Sequence, residues 1–318
     1  MGTSAIDSGA IDIFNITMQR INPTPMALPG RGMLGVDIGK YGMLFGGHLG
    51  YDVNNLTDAR GVQAIDSTFQ QYRTTNMSEA VRNSMVSKVG KYAVLAGGWA
   101  RISGSLTPIN RVEVYDDTLQ KVTSPESLRI GRYNGGGANI GLYAVFAGGQ
   151  AASAVSNQVD AYDSALQRIT ALTLGAARSD VRGISTRDYA IFAGGNGLSG
   201  DYVDAYSETL ERRTLTANHR LWTGQSYPNG GEIGDYIIIG GSDRNTGGHI
   251  VTVYNRALQR QSIRLYLIEA RGLMGTAVAG NAFLIFFGGY NSSDSQTVLT
   301  LGRILDVFDA QLNHKASQ

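Results

Sequence analysis

The residues of this 318-residue chain that could do chemistry are few and scattered. Four histidines, His48, His219, His249 and His314, share no i, i+4 spacing of the kind that sets two imidazoles on one helix face, and cysteine is absent. Zinc sites and thiol chemistry are therefore not indicated. The sequence carries no calcium loop, phosphate-binding loop or nucleophile elbow. GSDRNTGG from Gly241 has the composition of a cation or phosphate loop, but turn formers at that density read first as a connection between strands. Carboxylates recur at Asp66, Asp116, Asp163 and Asp309, and the same slot holds Asn15, Ser207 and Asn255. Residues interchangeable in this way start turns by bonding the backbone two residues on, rather than working as acid and base. The sequence thus names no catalytic residue, metal or cofactor, and the chain reads as non-enzymatic.

Two other sets of residues could bind a ligand. Arginines recur ahead of small-residue stretches at Arg31, Arg82, Arg132, Arg178 and Arg271, with Arg220 set further ahead by the insertion LWTGQSYPNGG. A ring of guanidinium groups would hold carboxylates or phosphates bidentately. The alternative is that each arginine bonds backbone carbonyls of a neighbouring repeat, which accounts equally well for its recurrence. The second set lies on variable connections: His48, Trp99 and Tyr290 after glycine doublets, and Trp222 in the insertion. Aromatic residues and arginines on loops are the material of interface hot spots and sugar platforms. For the two tryptophans, a purely structural place on the rim is an equal reading.

The elements that must position these residues repeat. YAVLAGG from Tyr92 recurs as YGMLFGG from Tyr41, YAVFAGG from Tyr143, YAIFAGG from Tyr189 and FLIFFGG from Phe283, with YIIIGGS from Tyr236 as a variant. A short apolar run ended by glycines and returning about every 50 residues is a buried strand in a repeat array. A second unit, VEVYDDTLQKV from Val112, alternates into a tyrosine, turns, and begins another strand near Leu119. It recurs from Ile11, Val62, Val159, Val203, Val251 and Leu305. Each repeat then has four antiparallel strands: a small-residue strand after the arginine, the strand to Gly-Gly, and the two of the hairpin. The prediction is an all-β propeller forming a single domain over residues 1–318, with six four-stranded blades between about residues 27 and 315. The hairpin at residues 10–21 is left over. It either joins the closing blade or seeds a seventh, and six is favoured because a two-stranded blade would leave apolar surface exposed.

Composition bounds the rest. With 27 basic and 26 acidic residues the net charge is +1, so no global field draws nucleic acid or an anionic membrane. No apolar stretch approaches the length of a membrane span, and no signal peptide opens the sequence.

The arginine before the first strand, the glycine doublet after the second and the tyrosine on the third resemble the repeat of the kelch family over residues 10 to 315. The usual tryptophan of the fourth strand is missing, its neighbourhood being held by Leu119, Leu166, Leu210 and Leu258. Reiterated phrases such as VDAYD, LQR and YAVFAGG are most similar to the kelch-like arrays of phage and prophage tail-associated proteins. The resemblance implies that the arginines line a pocket on the face from which the long connections emerge. It also implies a binding module that contacts a surface glycan or protein, with other virion or tail proteins and a homo-oligomer as further partners, located in the virion if phage-encoded and otherwise in the cytoplasm. The alternatives are an intracellular kelch-type module binding an acidic peptide, and a propeller enzyme acting on a sugar acid.

Overall fold

The computed structural model describes residues 13–14, 20–21, 33–46, 60–196, 199–213, 216–241, 249–289 and 305–317. Arg31, His48 and Tyr290, and most of the GSDRNTGG stretch, lie outside them. The described residues form six four-stranded antiparallel sheets, a three-stranded ladder and a two-stranded ladder, with one short 3-10 turn at Ala217–His219. Within each sheet the strands follow chain order from one edge to the other. This all-β arrangement of repeated sheets is that of a propeller-like fold.

Sheet 1 runs Leu34–Ile38, Tyr41–Phe45, Val62–Asp66, Gln71–Arg73, and sheet 2 runs Met85–Val89, Tyr92–Ala96, Val112–Asp116, Lys121–Val122. Sheet 3 comprises Gly136–Ile140, Tyr143–Ala147, Val159–Asp163 and Arg168–Thr170. Sheet 4 comprises Arg182–Ser185, Ala190–Ala193, Val203–Tyr206 and Arg212–Arg213. Sheet 5 holds Asn229–Ile233, Tyr236–Gly240, Ile250–Asn255 and Arg260–Tyr266, and sheet 6 holds Gly275–Ala279, Phe283–Phe287, Leu305–Asp309 and His314–Ser317. The second strands are the most deeply buried, as their unbroken apolar runs require: Ala93, Val94, Ala144, Val145, Phe146, Ile191 and Phe192 are all fully enclosed.

First strands of successive sheets approach so closely that side chains are excluded between them. A Cβ on Gly137 would lie 2.2 Å from the Val86 carbonyl oxygen, and one on Gly183 would lie 2.2 Å from that of Gly137. The small-residue composition of these strands follows from that approach.

Sheet 6 is complete from residues 275–317, so the N-terminal hairpin does not replace its outer pair. That hairpin pairs Ile13 with Ile21 and Phe14 with Arg20 in a ladder of its own. The outer strands also begin later than the hairpin pattern predicts. Leu119 and its counterparts Leu166, Leu210, Leu258, Leu312 and Phe69 occupy the last position of the turn, with φ between 59° and 65°. The five leucines accept that unfavourable backbone while their side chains pack inward: Leu119, Leu210 and Leu258 are buried, and Leu166 and Leu312 pack against the core.

Candidate functional site

The aspartates that end the third strands are turn formers, as expected. Asp66 Oδ1 accepts from the Thr68 and Gln70 N–H groups at 2.8 and 3.1 Å. Asp116, Asp163 and Asp309 repeat the pair of bonds two and four residues on.

The arginines divide into two groups, and this corrects the reading of them as one ring. Arg132, Arg178 and Arg271 share one position, four residues before the first strand; at the first two a backbone clasp marks it, the N–H of the second glycine of the preceding repeat donating to the arginine carbonyl, Gly98 to Arg132 and Gly149 to Arg178, each at 2.9 Å. In sheet 5 the residue that receives this bond is Gln225, from Gly195 at 2.9 Å, and not Arg220. In sheet 2 the position four residues before the first strand is Val81, so Arg82 stands one residue beyond it. The period was legible in the sequence, but a one-residue offset and an 11-residue insertion concealed the phase.

The three in-phase arginines have no exposed surface. Arg132 Nη1 lies 2.7 Å from Asp160 Oδ2, Arg178 Nη2 lies 2.7 Å from Asp204 Oδ2, and Arg271 Nη2 pairs with Asp306 Oδ2. Arg132 and Arg178 also donate to carbonyls of their own second strands, Phe146 and Phe192. Burial pulls the Arg132 pKa down and the Asp160 charge opposes it. These guanidiniums present nothing to a ligand. The sequence reading missed their partner acids, the second residues of VDAYD, VDAYS and LDVFD, although these recur as regularly as the arginines.

Each acid has a second duty. Asp160, Asp204 and Asp306 accept the backbone N–H three residues before the arginine, at 3.3, 3.0 and 2.9 Å, and so fix the chain leading into the first strand. Glu113 and Thr252 do the same for Ser78 and Trp222. Tyrosines of the third strand pin the same lead-in further out: Tyr162, Tyr206 and Tyr254 donate to the carbonyls of Glu126, Leu172 and His219.

Among the described residues, two sets take no part in this clasp in sheets 2 and 3: the connection after the glycine doublet and the residue just past the arginine slot. In sheets 2 and 3 they meet. The connection expected to be a variable loop after Trp99 is a hairpin, Trp99–Ile102 with Ser105–Pro108, turned by Ser103 and Gly104 at φ 48° and 86°. It extends a ladder from Val81–Arg82, with Trp99 opposite Arg82. Trp99 stacks on Tyr133, ring centroids 4.3 Å apart and planes 19° from parallel, while the Arg82 guanidinium lies 5.3 Å from its ring centre. Tyr133 exchanges two backbone hydrogen bonds with Gln150, at 3.1 and 2.7 Å. Between the hairpin and Gln150 lies a groove of about 260 Å³ lined by Trp99, Leu106, Pro108, Tyr133, Gln150 and Ala151. Burial, with the Asp180 charge second, raises the Tyr133 pKa, and Arg82 opposes the rise.

Trp222 lies elsewhere, between the guanidiniums of Arg260 and Arg264 at 3.9 and 4.3 Å. Arg220 stacks on Tyr202 at 3.9 Å and reaches Asp201 at 3.4 Å. The structure thus brings Arg82 and Trp99 together and leaves Arg220 and Trp222 apart from them. Among the described residues no group of three or more His, Asp or Glu side chains is arranged to hold a metal, and no helix is long and apolar enough to cross a membrane.

No protein-family model matches the chain, and no curated protein matches it at a significant level. Among solved structures, one titled "Structure of YjhT" superposes with a TM-score of 0.65 over 92% of this chain and 98% of that one, at 12% sequence identity. At that identity the likeness shows the fold alone.

Proposed function

We propose that this chain is a six-bladed propeller acting as a non-enzymatic recognition module, which contacts a surface glycan or protein through the groove beside Trp99 and Tyr133. The observation that carries this reading is the groove itself. Two stacked aromatic rings, a hairpin that stands up from the connection and the Gln150 backbone converge there, on residues that the fold's own clasp leaves unused. Rigid sheets fix the ends of both connections, so changes along them alter the ligand without disturbing the core. The resemblance of the repeat phrases to those of phage and prophage tail-associated proteins is what supports a tail-associated setting for such a module. Arg132, Arg178 and Arg271 are buried and paired with aspartates, and so give no support to an acidic-peptide pocket built on a ring of all the arginines.

Glycan-array and surface-protein binding, compared for the wild type and for Trp99→Ala and Tyr133→Ala, tests the reading. Binding that falls about tenfold or more in both variants, while melting stays cooperative, is the expected result. Ligands bound equally well by both variants would place recognition on another surface.

A further inference from the structure

Among the described residues, five of the six outermost strands span two to four residues, whereas that of sheet 5, Arg260–Tyr266, spans seven. An outermost strand presents unpaired backbone groups to solvent, and short edges are how sheets avoid unwanted pairing. The long edge here is the exception. Its register against Ile250–Asn255 shifts between Thr252 and Tyr254, so regular pairing resumes only from Arg264 onward. The Leu267 N–H bonds inward to the His249 carbonyl at 2.8 Å. By the alternation of an antiparallel ladder, the backbone groups of Tyr266 and Arg264 therefore point away from the sheet.

The side chains beside this edge are unusual for a solvated rim. Ile263, Tyr266 and Ile268 are 44%, 46% and 37% exposed, three of the ten large apolar side chains left in solvent among the described residues. Arg260 and Arg264 flank Trp222, and among the described residues neither has a carboxylate partner. Arg260 donates only to the Arg220 carbonyl, at 2.7 Å. The nearest acid in sequence, Glu269, falls past the end of the strand.

We propose that this edge is a strand-addition site for an extended, acidic segment of a partner protein. Its backbone would pair with Arg264 and Tyr266, its carboxylates would face Arg264 and Arg260, and the apolar side chains alternating with them would cover Ile263 on the opposite face. A second copy of this chain fits poorly, since antiparallel self-pairing would bring the basic edges together. The site is separate from the Trp99 groove and does not depend on it.

The test uses a fluorescein-labelled eight-residue peptide of alternating Glu and Val, with a Lys and Val peptide as control, titrated with the full chain and followed by anisotropy. Two variants accompany it: Arg264→Glu, and Tyr266→Pro, which removes an outward N–H that no ladder bond needs. The acidic peptide should bind the wild type more tightly than the basic one, more weakly as salt rises, and about tenfold more weakly to either variant. No binding of the acidic peptide overturns the proposal, as does equal binding of both peptides or binding unchanged by Tyr266→Pro. A concentration-dependent dimer abolished by Tyr266→Pro, without peptide binding, would also overturn it by making a second copy the occupant. Melting temperatures of both variants close to that of the wild type make a loss of binding attributable to the edge.

Discussion

Arg132 and Asp160 form a fully buried ion pair, with Nη1 2.7 Å from Oδ2 and no exposed surface on either side chain. The pair closes a circuit, because Asp160 also accepts the Arg129 N–H while Arg132 donates to the Phe146 carbonyl. Removing one member strands a charge in a low-dielectric interior. Asp160→Ala should therefore lower unfolding free energy by about 3–5 kcal/mol, read from urea denaturation.

Sheet 5 supplies a natural control for that experiment. There the slots hold Gln225 and Thr252, which bond the Ile250 carbonyl and the Trp222 N–H without any charge. Grafting this neutral pair, as Arg132→Gln with Asp160→Thr, should cost about 2 kcal/mol less than Asp160→Ala alone, since no ion is left unpaired. A double variant as unstable as the single one would mean that the charge itself, and not its compensation, is what sheet 3 requires.

The glycine doublets and small first strands made the repeated sheets readable from sequence, because close backbone approach excludes side chains wherever it occurs. Gly97, Gly137 and Gly183 each face a carbonyl that a Cβ would strike. The site was less readable. Arg82 and Arg132 look equivalent along the chain, yet one residue of offset puts the first against Trp99 and the second inside the sheet. The Trp99 hairpin was signalled only by Ser103 and Gly104 between alternating residues, and its meeting with Tyr133 joins two repeats, which no local pattern records.

Gly97 tests the clasp between repeats. Its φ is 63°, and an added Cβ would lie 2.4 Å from the Arg132 carbonyl oxygen, whose neighbouring bond from Gly98 ties sheet 2 to the lead-in of sheet 3. Backbone cannot yield as a flexible side chain would. Gly97→Ala should destabilise by about 2–4 kcal/mol, combining left-handed strain with displacement of that carbonyl. Gly104→Ala, at φ 86° with open space around it, gives the comparison: strain without collision, and a smaller loss in melting temperature.

Leu258 sets burial against backbone strain. Its φ is 60° and its side chain is 1% exposed, packed with Tyr254 and Ile237. Glycine would relieve about 1 kcal/mol of strain but forfeit a leucine's burial and leave a cavity, a loss of about 2–5 kcal/mol. Leu258→Gly should therefore be destabilising on balance, and less so than Leu258→Ala by roughly the strain that alanine retains. Equal stability of Leu258→Gly and the wild type in chemical denaturation would show that burial of the leucine contributes no more than the backbone strain it carries.

Asp66 gives the chain a defined acid response. A hydrogen bond from the Thr68 hydroxyl, and then one from the Tyr72 hydroxyl, holds its carboxyl at about 2, below the ordinary 3.8. A carboxyl whose pKa is lower folded than unfolded stabilises the fold while ionised, so its contribution is complete above about pH 4 and is lost as pH falls toward 2. Asp66→Asn keeps an acceptor for the Thr68 N–H but cannot titrate. The gap in melting temperature between wild type and Asp66→Asn should stay constant from about pH 7 to pH 4 and close between about pH 4 and pH 2. A gap that persists unchanged to the acid limit would show that the bonds from Thr68 and Tyr72 do not depend on the carboxylate charge.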